Sequence, residues 1–144
     1  AERLNPGGRM FQIWLDPNLE KTLKKPASYN DHKADEFPVN EKNGYSEKIY
    51  KGDAAPLKMD SEGVAIKEYI FENGESEIEI DDNMIYSAYL INGEITVNGK
   101  GMRPDDFCII KDEKKLKVKA ESESKFFMIG SPAKLSYKTY SEMF

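Results

Sequence analysis

The sequence predicts an all-β domain built as an antiparallel sandwich or barrel. Short runs of strand-forming residues alternate with turn residues at close, regular spacing from Tyr45 onward. Two Asn-Gly pairs, Asn92-Gly93 and Asn98-Gly99, bracket the short run Glu94-Ile95-Thr96-Val97. Asn-Gly is a strong hairpin signal, because a type I′ turn needs positive φ at both central residues. No stretch holds an apolar stripe of 3.6-residue period over three turns, so no long amphipathic helix is expected.

Residues 1–38 differ in texture from the rest. Asn5-Pro6-Gly7-Gly8 reads as a turn, and Met10-Phe11-Gln12-Ile13-Trp14-Leu15 reads as one strand, broken by Asp16-Pro17-Asn18. Residues 19–25 are polar and basic, a linker with at most one helical turn, closed by Pro26. Residues 29–38 are polar and extended over a surface. The strands then expected are residues 46–50, 64–71, 77–80, 85–91, 94–97, 116–120 and 125–129. In the sixth, Lys115, Lys117 and Lys119 alternate with Leu116 and Val118, which makes one face wet and the other dry.

Length and composition exclude several classes of function. The chain has 144 residues, 33% of them charged, with a net charge of -5. One domain of ordinary size with a genuine core is expected. No apolar run is long enough for a transmembrane helix, and no signal peptide is recognisable. The lone Cys108 excludes an internal disulfide and fits a reducing, cytoplasmic setting. Excess acid, concentrated in the middle third, argues against nucleic-acid binding. The single His32 means that this chain alone cannot supply a histidine-rich metal site or a His-dependent triad.

Each candidate for chemistry has a plainer structural explanation. Glu77 and Glu79 leave the same face of a strand and are weak candidates for a cation site. Alternation with Ile78 and Ile80 instead makes them the wet face of that strand. Asp81-Asp82-Asn83 opens like a calcium loop, but Tyr86 and Asn92 stand where that loop needs Gly and an acid, so it is a turn. His32 lies in a polar segment with no second ligand nearby, and Cys108 reads as a small core residue with no adjacent cation to activate it. Gly99-Lys100-Gly101 is too short for a phosphate loop, and the basic residues between Lys111 and Lys119 have the spacing of a solvated strand face. Trp14, Tyr86, Tyr89, Phe107, Phe126 and Phe127 lie on different strands and fill a core. Of these, Tyr86, Tyr89, Phe107 and Phe127 are the candidates for lining a ligand cavity in the barrel.

Phe11-Gln12-Ile13-Trp14-Leu15-Asp16-Pro17 resembles the segment of pirin-like, quercetin 2,3-dioxygenase-type two-cupin proteins where the first cupin hands over to the second. Leu90-Ile91-Asn92-Gly93-Glu94-Ile95-Thr96-Val97-Asn98-Gly99 is similar to a hairpin of their C-terminal cupin, and Pro104-Asp105-Asp106 stands where that cupin has a Gly-Asp turn. The resemblance implies a cupin-type double-stranded β-helix, an RmlC-like jelly-roll barrel. It divides the chain into 1–38, the exit strand of an absent N-terminal cupin with its linker, and 39–144, a C-terminal cupin barrel.

The family's first cupin holds iron or a similar divalent metal through three His and one Glu, and some members are quercetinases. Of those ligands only Glu2 has a counterpart here. In the second cupin, Glu77-Ile78-Glu79 stands in place of the His-x-His pair, Tyr86 in place of the Glu, and no His follows Pro104-Asp105-Asp106. The expected function is therefore a metal-free cupin domain with a structural, dimerisation or shielding role, without catalytic residues or a cofactor of its own. The alternatives are the closing half of a metal-dependent dioxygenase and a small-molecule site in the barrel. The expected partner is a second copy, with exchange of the 10–15 strand.

Overall fold

The computed structural model describes residues 3–144. Ten strands form two antiparallel sheets packed face to face. They are β1 (Val39–Lys42), β2 (Tyr45–Lys51), β3 (Ala65–Phe71), β4 (Gly74–Glu79), β5 (Met84–Asn92), β6 (Ile95–Val97), β7 (Lys100–Met102), β8 (Phe107–Ile110), β9 (Lys115–Ala120) and β10 (Ser124–Pro132). One sheet runs β1-β2-β3-β10-β5-β8 and the other β4-β9-β6-β7. Crossovers between non-adjacent strands in both sheets give the jelly roll that the sequence predicts. Two single-turn helices, α1 (Leu19–Thr22) and α2 (Tyr140–Met143), lie outside the sheets. No helix among the described residues is long and apolar enough to cross a membrane.

The core is the space between the sheets, and period-two patterning fills it. β9 alternates exposed Lys115, Lys117 and Lys119 with buried Leu116, Val118 and Ala120. Its neighbour β4 presents Glu75, Glu77 and Glu79 in register with Lys119, Lys117 and Lys115, a ladder of opposite charges on the outer face. From the six-stranded sheet, Tyr69, Phe71, Leu90 and Phe126 enter the same core, each at most 2% exposed. Phe71 stacks on Tyr69 and tilts against Phe126, so aromatic contacts link β3 to β10.

Only one of the two Asn-Gly pairs makes a hairpin. Asn98 and Gly99 have φ of 47° and 79°, and β6 pairs with β7 across them. The Asn98 side chain also binds the neighbouring strand, its Oδ1 accepting from the Lys117 N–H at 2.8 Å. Asn92-Gly93 instead carries the chain from the six-stranded sheet to the four-stranded one, since β5 and β6 belong to different sheets. Gly93 at φ 86° lies so close to β10 that a Cβ there would stand 2.7 Å from the Ser124 Cα.

Residues 10–15 form no strand, contrary to expectation. They run along the outer face of the six-stranded sheet, anchored by side chains. Phe11 stacks on Phe127 at 5.2 Å and meets Tyr89 edge-on at 5.2 Å. Arg9 donates to Asp105 at 2.7 Å, and the Tyr89 hydroxyl donates to the same carboxylate oxygen. Trp14, expected among the core aromatics, is 86% exposed. An apolar run of strand length needs a partner edge to become a strand, and this one lies across side chains, not beside an edge.

The expectation also omits β1, β7 and β8. β7 contains Gly101, and β1 is polar after Val39, so neither carries a strand-forming pattern. The ends of the chain meet near residues 60–62. The Asn18 N–H donates to Asp60 O, Ser136 Oγ donates to Glu62, and the Tyr137 hydroxyl donates to Asp16 O.

Candidate functional site

A small cavity of about 110 Å³ opens at one end of the space between the sheets. Lys67 and Tyr69 of β3, Glu79 of β4, Met84 and Tyr86 of β5 and Met128 of β10 line it. Strand parity delivers them: Lys67 and Tyr69 are two apart, as are Met84 and Tyr86, so each pair shares the inner face. Gly130 faces Tyr86 across the β10–β5 ladder, and a Cβ there would stand 2.8 Å from the Tyr86 ring. The ring therefore lies against bare backbone.

Two of the polar groups around this cavity, Tyr86 and Lys67, are committed to protein partners. The Asp81 N–H donates to the Tyr86 hydroxyl at 2.9 Å. Lys67 donates to Glu47 at 3.1 Å, and Glu47 also accepts from Asn40. Burial alone would raise the Glu47 carboxyl, but the hydrogen bonds from Asn40 and Lys67 outweigh it and hold the group below the usual range. Burial pushes the phenols of Tyr69 and Tyr86 upward, in Tyr69 with the help of the nearby Glu47 charge, so both stay protonated at neutral pH.

This donor set does not fit a catalytic divalent metal. It offers one carboxylate, one lysine already paired with Glu47, two protonated phenols and two thioethers. Among the described residues no cluster of three or more His, Cys, Asp or Glu side chains is arranged to hold an ion.

Tyr86 faces inward, as expected of a cavity residue, but the other three ligand-cavity candidates do not join it. Tyr89 is three residues from Tyr86 and therefore lies on the opposite face, under Phe11 with Phe127. Phe126, not Phe127, is the inward member of that pair, at 0% exposure. Phe107 is 60% exposed on the edge strand β8. The weak metal candidates are also dispersed. Glu77 is exposed and pairs with Lys115 at 2.6 Å, which holds its carboxyl below the usual range. Glu79 sits at the end of β4, on the rim of the cavity, and Glu2 lies outside the described residues.

His32 is partly covered, 2.9 Å from the Glu36 carboxylate and edge-on to Phe37. Cys108 packs beside Met102, and burial raises its thiol above the ordinary value. Sequence reasoning missed Lys67, Tyr69, Met128 and Gly130 in the cavity. Their signal was the inward parity of residues 65–71, hidden because a lysine occupies one inward position.

No protein-family model matches the sequence, and no curated protein matches it. Solved structures do share the architecture. A quercetin 2,3-dioxygenase from Acinetobacter baumannii superposes with a TM-score of 0.69 at 16% identity, over 88% of this chain and 49% of that one. An RmlC-like cupin from Shewanella frigidimarina gives 0.54 at 15% identity, over 74% of this chain and 94% of that one. The bacterial pirin YhhW from Escherichia coli, solved in complex with nickel(II), gives 0.50 at 21% identity, over 56% of this chain and 34% of that one. The chain thus spans half or less of the dioxygenase and pirin chains. At such identities the likeness concerns architecture, and the architecture is that of a cupin: an all-β, antiparallel jelly roll related in fold to quercetin 2,3-dioxygenase and pirin.

Proposed function

We propose that this chain is a metal-free cupin domain with a structural role, one that assembles with a second copy of itself. The observation that carries the first part is the donor set at the cavity, where Lys67, Tyr69 and Tyr86 surround the single carboxylate of Glu79. A cation entering there meets one carboxylate and no imidazole, beside a lysine already paired with Glu47. Metal content after incubation of the purified chain with iron(II) or nickel(II), followed by desalting, is expected to stay far below one ion per chain. Stoichiometric binding at micromolar affinity overturns the reading.

Support for assembly comes from β8, a free sheet edge whose Phe107 and Ile109 are 60% and 53% exposed. An unblocked apolar edge invites pairing with another strand. The expected oligomer is a symmetric dimer across β8, and Ile109→Lys shifts it to monomer in sedimentation velocity. A wild-type chain that stays monomeric at its highest soluble concentration contradicts this part.

A second reading rests on the 49% of the quercetin 2,3-dioxygenase chain that this one matches. In a longer protein this domain would close a dioxygenase whose metal lies in the other half. A histidine-rich cupin encoded directly upstream, with flavonol oxidation by the joined protein and not by this domain, is the expected result under that reading.

A further inference from the structure

A second cavity, of about 530 Å³, adjoins the first at Ala65 and Lys67 and lies between the end of β2 and the loop of residues 52–64. Ile49, Leu57, Met59 and Val64 give it apolar walls, and Lys51 and Lys58 bring ammonium groups to it. Lys51 is the unusual member. It is only 8% exposed, although lysine is among the residues least often buried without a partner. The ladder between β2 and β3 shifts register between Ile49 and Lys51, and such a bulge re-aims the side chain that follows it. The Lys51 Nζ then donates to Ser61 O and Val64 O, both at 2.9 Å, tying the loop to the strand.

Two carbonyl oxygens leave the charge of Lys51 uncompensated. An ammonium has three donors and a full positive charge, and no carboxylate among the described residues pairs with it. Asp53 lines the same cavity but is exposed and forms no ion pair with Lys51. Lys67 reaches the cavity too, but its charge is taken by Glu47. Burying a charge without a counter-charge is costly, and the cost falls when an anion supplies the missing partner.

We propose that this cavity binds a small organic anion, with its carboxylate between Lys51 and Lys58 and its apolar body against Ile49, Leu57 and Val64. The apolar walls favour an organic acid over a bare inorganic ion, because a hydrated phosphate gains nothing from them. In support, burial, with Lys58 adding to it, draws the Lys51 amine below the ordinary lysine value, which marks a charge lacking a partner. The proposal is independent of the metal-free reading, since the two cavities have different walls apart from Ala65 and Lys67.

The test is a titration of the full chain with hexanoate, and separately with inorganic phosphate, followed by amide NMR. Hexanoate is expected to give saturable shifts centred on residues 51–53 and 63–65, with phosphate binding more weakly at the same residues. Lys58→Ala, at an exposed position that the fold does not need, is expected to weaken hexanoate binding roughly tenfold. Lys51→Met keeps the buried stem and is expected to abolish binding. Phosphate binding tighter than hexanoate at these residues would show that a phosphate-bearing ligand, not an apolar acid, is the occupant, and would overturn the proposed class. Absence of saturable shifts, or shifts that both variants retain, overturns the site altogether.

Discussion

Replacing Phe126 by Ala is expected to cost about 3–5 kcal/mol, much of the stability of a domain this size. The ring has 0% exposure and packs against Phe71, which in turn stacks on Tyr69. Truncation opens a void bounded by strands of both sheets, and rigid aromatic neighbours cannot collapse into it. Urea unfolding followed by circular dichroism gives the difference directly, with the midpoint falling and the slope retained. The internal control is Phe127→Ala. That ring lies on the opposite face, in contact with Phe11 and Tyr50, and is partly exposed. Its removal is expected to cost about 1–2 kcal/mol, from lost aromatic contact and modest burial. Equal losses at 126 and 127 would mean that the facing of β10 described above is wrong.

A comparable loss is expected from Gly93→Ala, for a different reason. Gly93 adopts φ 86°, and a Cβ would stand 2.1 Å from the Ser124 Oγ and 2.7 Å from its Cα. Ser124 is fully buried at the start of β10, so the obstacle includes buried backbone. Backbone strain and overpacking together suggest about 3 kcal/mol or more. Gly99 has a similar φ of 79° but open space around its Cβ position. Gly99→Ala is therefore expected to show only the conformational cost, about 1–2 kcal/mol. Thermal unfolding of the two variants separates strain from collision: the expected order is wild type, Gly99→Ala, then Gly93→Ala, well below both. If the two variants melt together, the close approach of β5 and β10 at this point is not limiting.

The two Asn-Gly pairs show where reading the chain succeeds and where it stops. Both pairs put a glycine at positive φ, and that much is local chemistry. Whether the following strand folds back on its predecessor or leaves for the other sheet depends on where a partner edge is free. β9 supplies that edge for β6, so Asn92-Gly93 becomes a step between sheets. The aromatic residues follow the same logic. Their presence predicted a core, but the choice between Phe126 and Phe127 is a choice of parity. A shift by one residue exchanges the faces of a strand, and register is set by neighbours distant in sequence.

Residues 10–15 illustrate the opposite error. Their composition suits a strand, and nothing within the segment shows that it will lie over Tyr89 and Phe127 as an anchored strap. Lys51 and Lys67 were invisible as site residues because lysine is read as solvent-facing unless the structure supplies its acceptors. For Lys51 those acceptors are carbonyls 10 and 13 residues away.

By itself, the amino-acid sequence determined the class of this protein. Period-two alternation, punctuated by turn residues, points to an antiparallel sandwich or barrel, and a single histidine limits what metal chemistry the chain can offer alone. Tertiary structure decided which face each side chain takes, which strands are edges, and where charged groups lose their water. The physical reason is that burial and pairing are properties of neighbours. Alternation along a strand is local, whereas the partner that makes one side of it dry lies elsewhere in the chain.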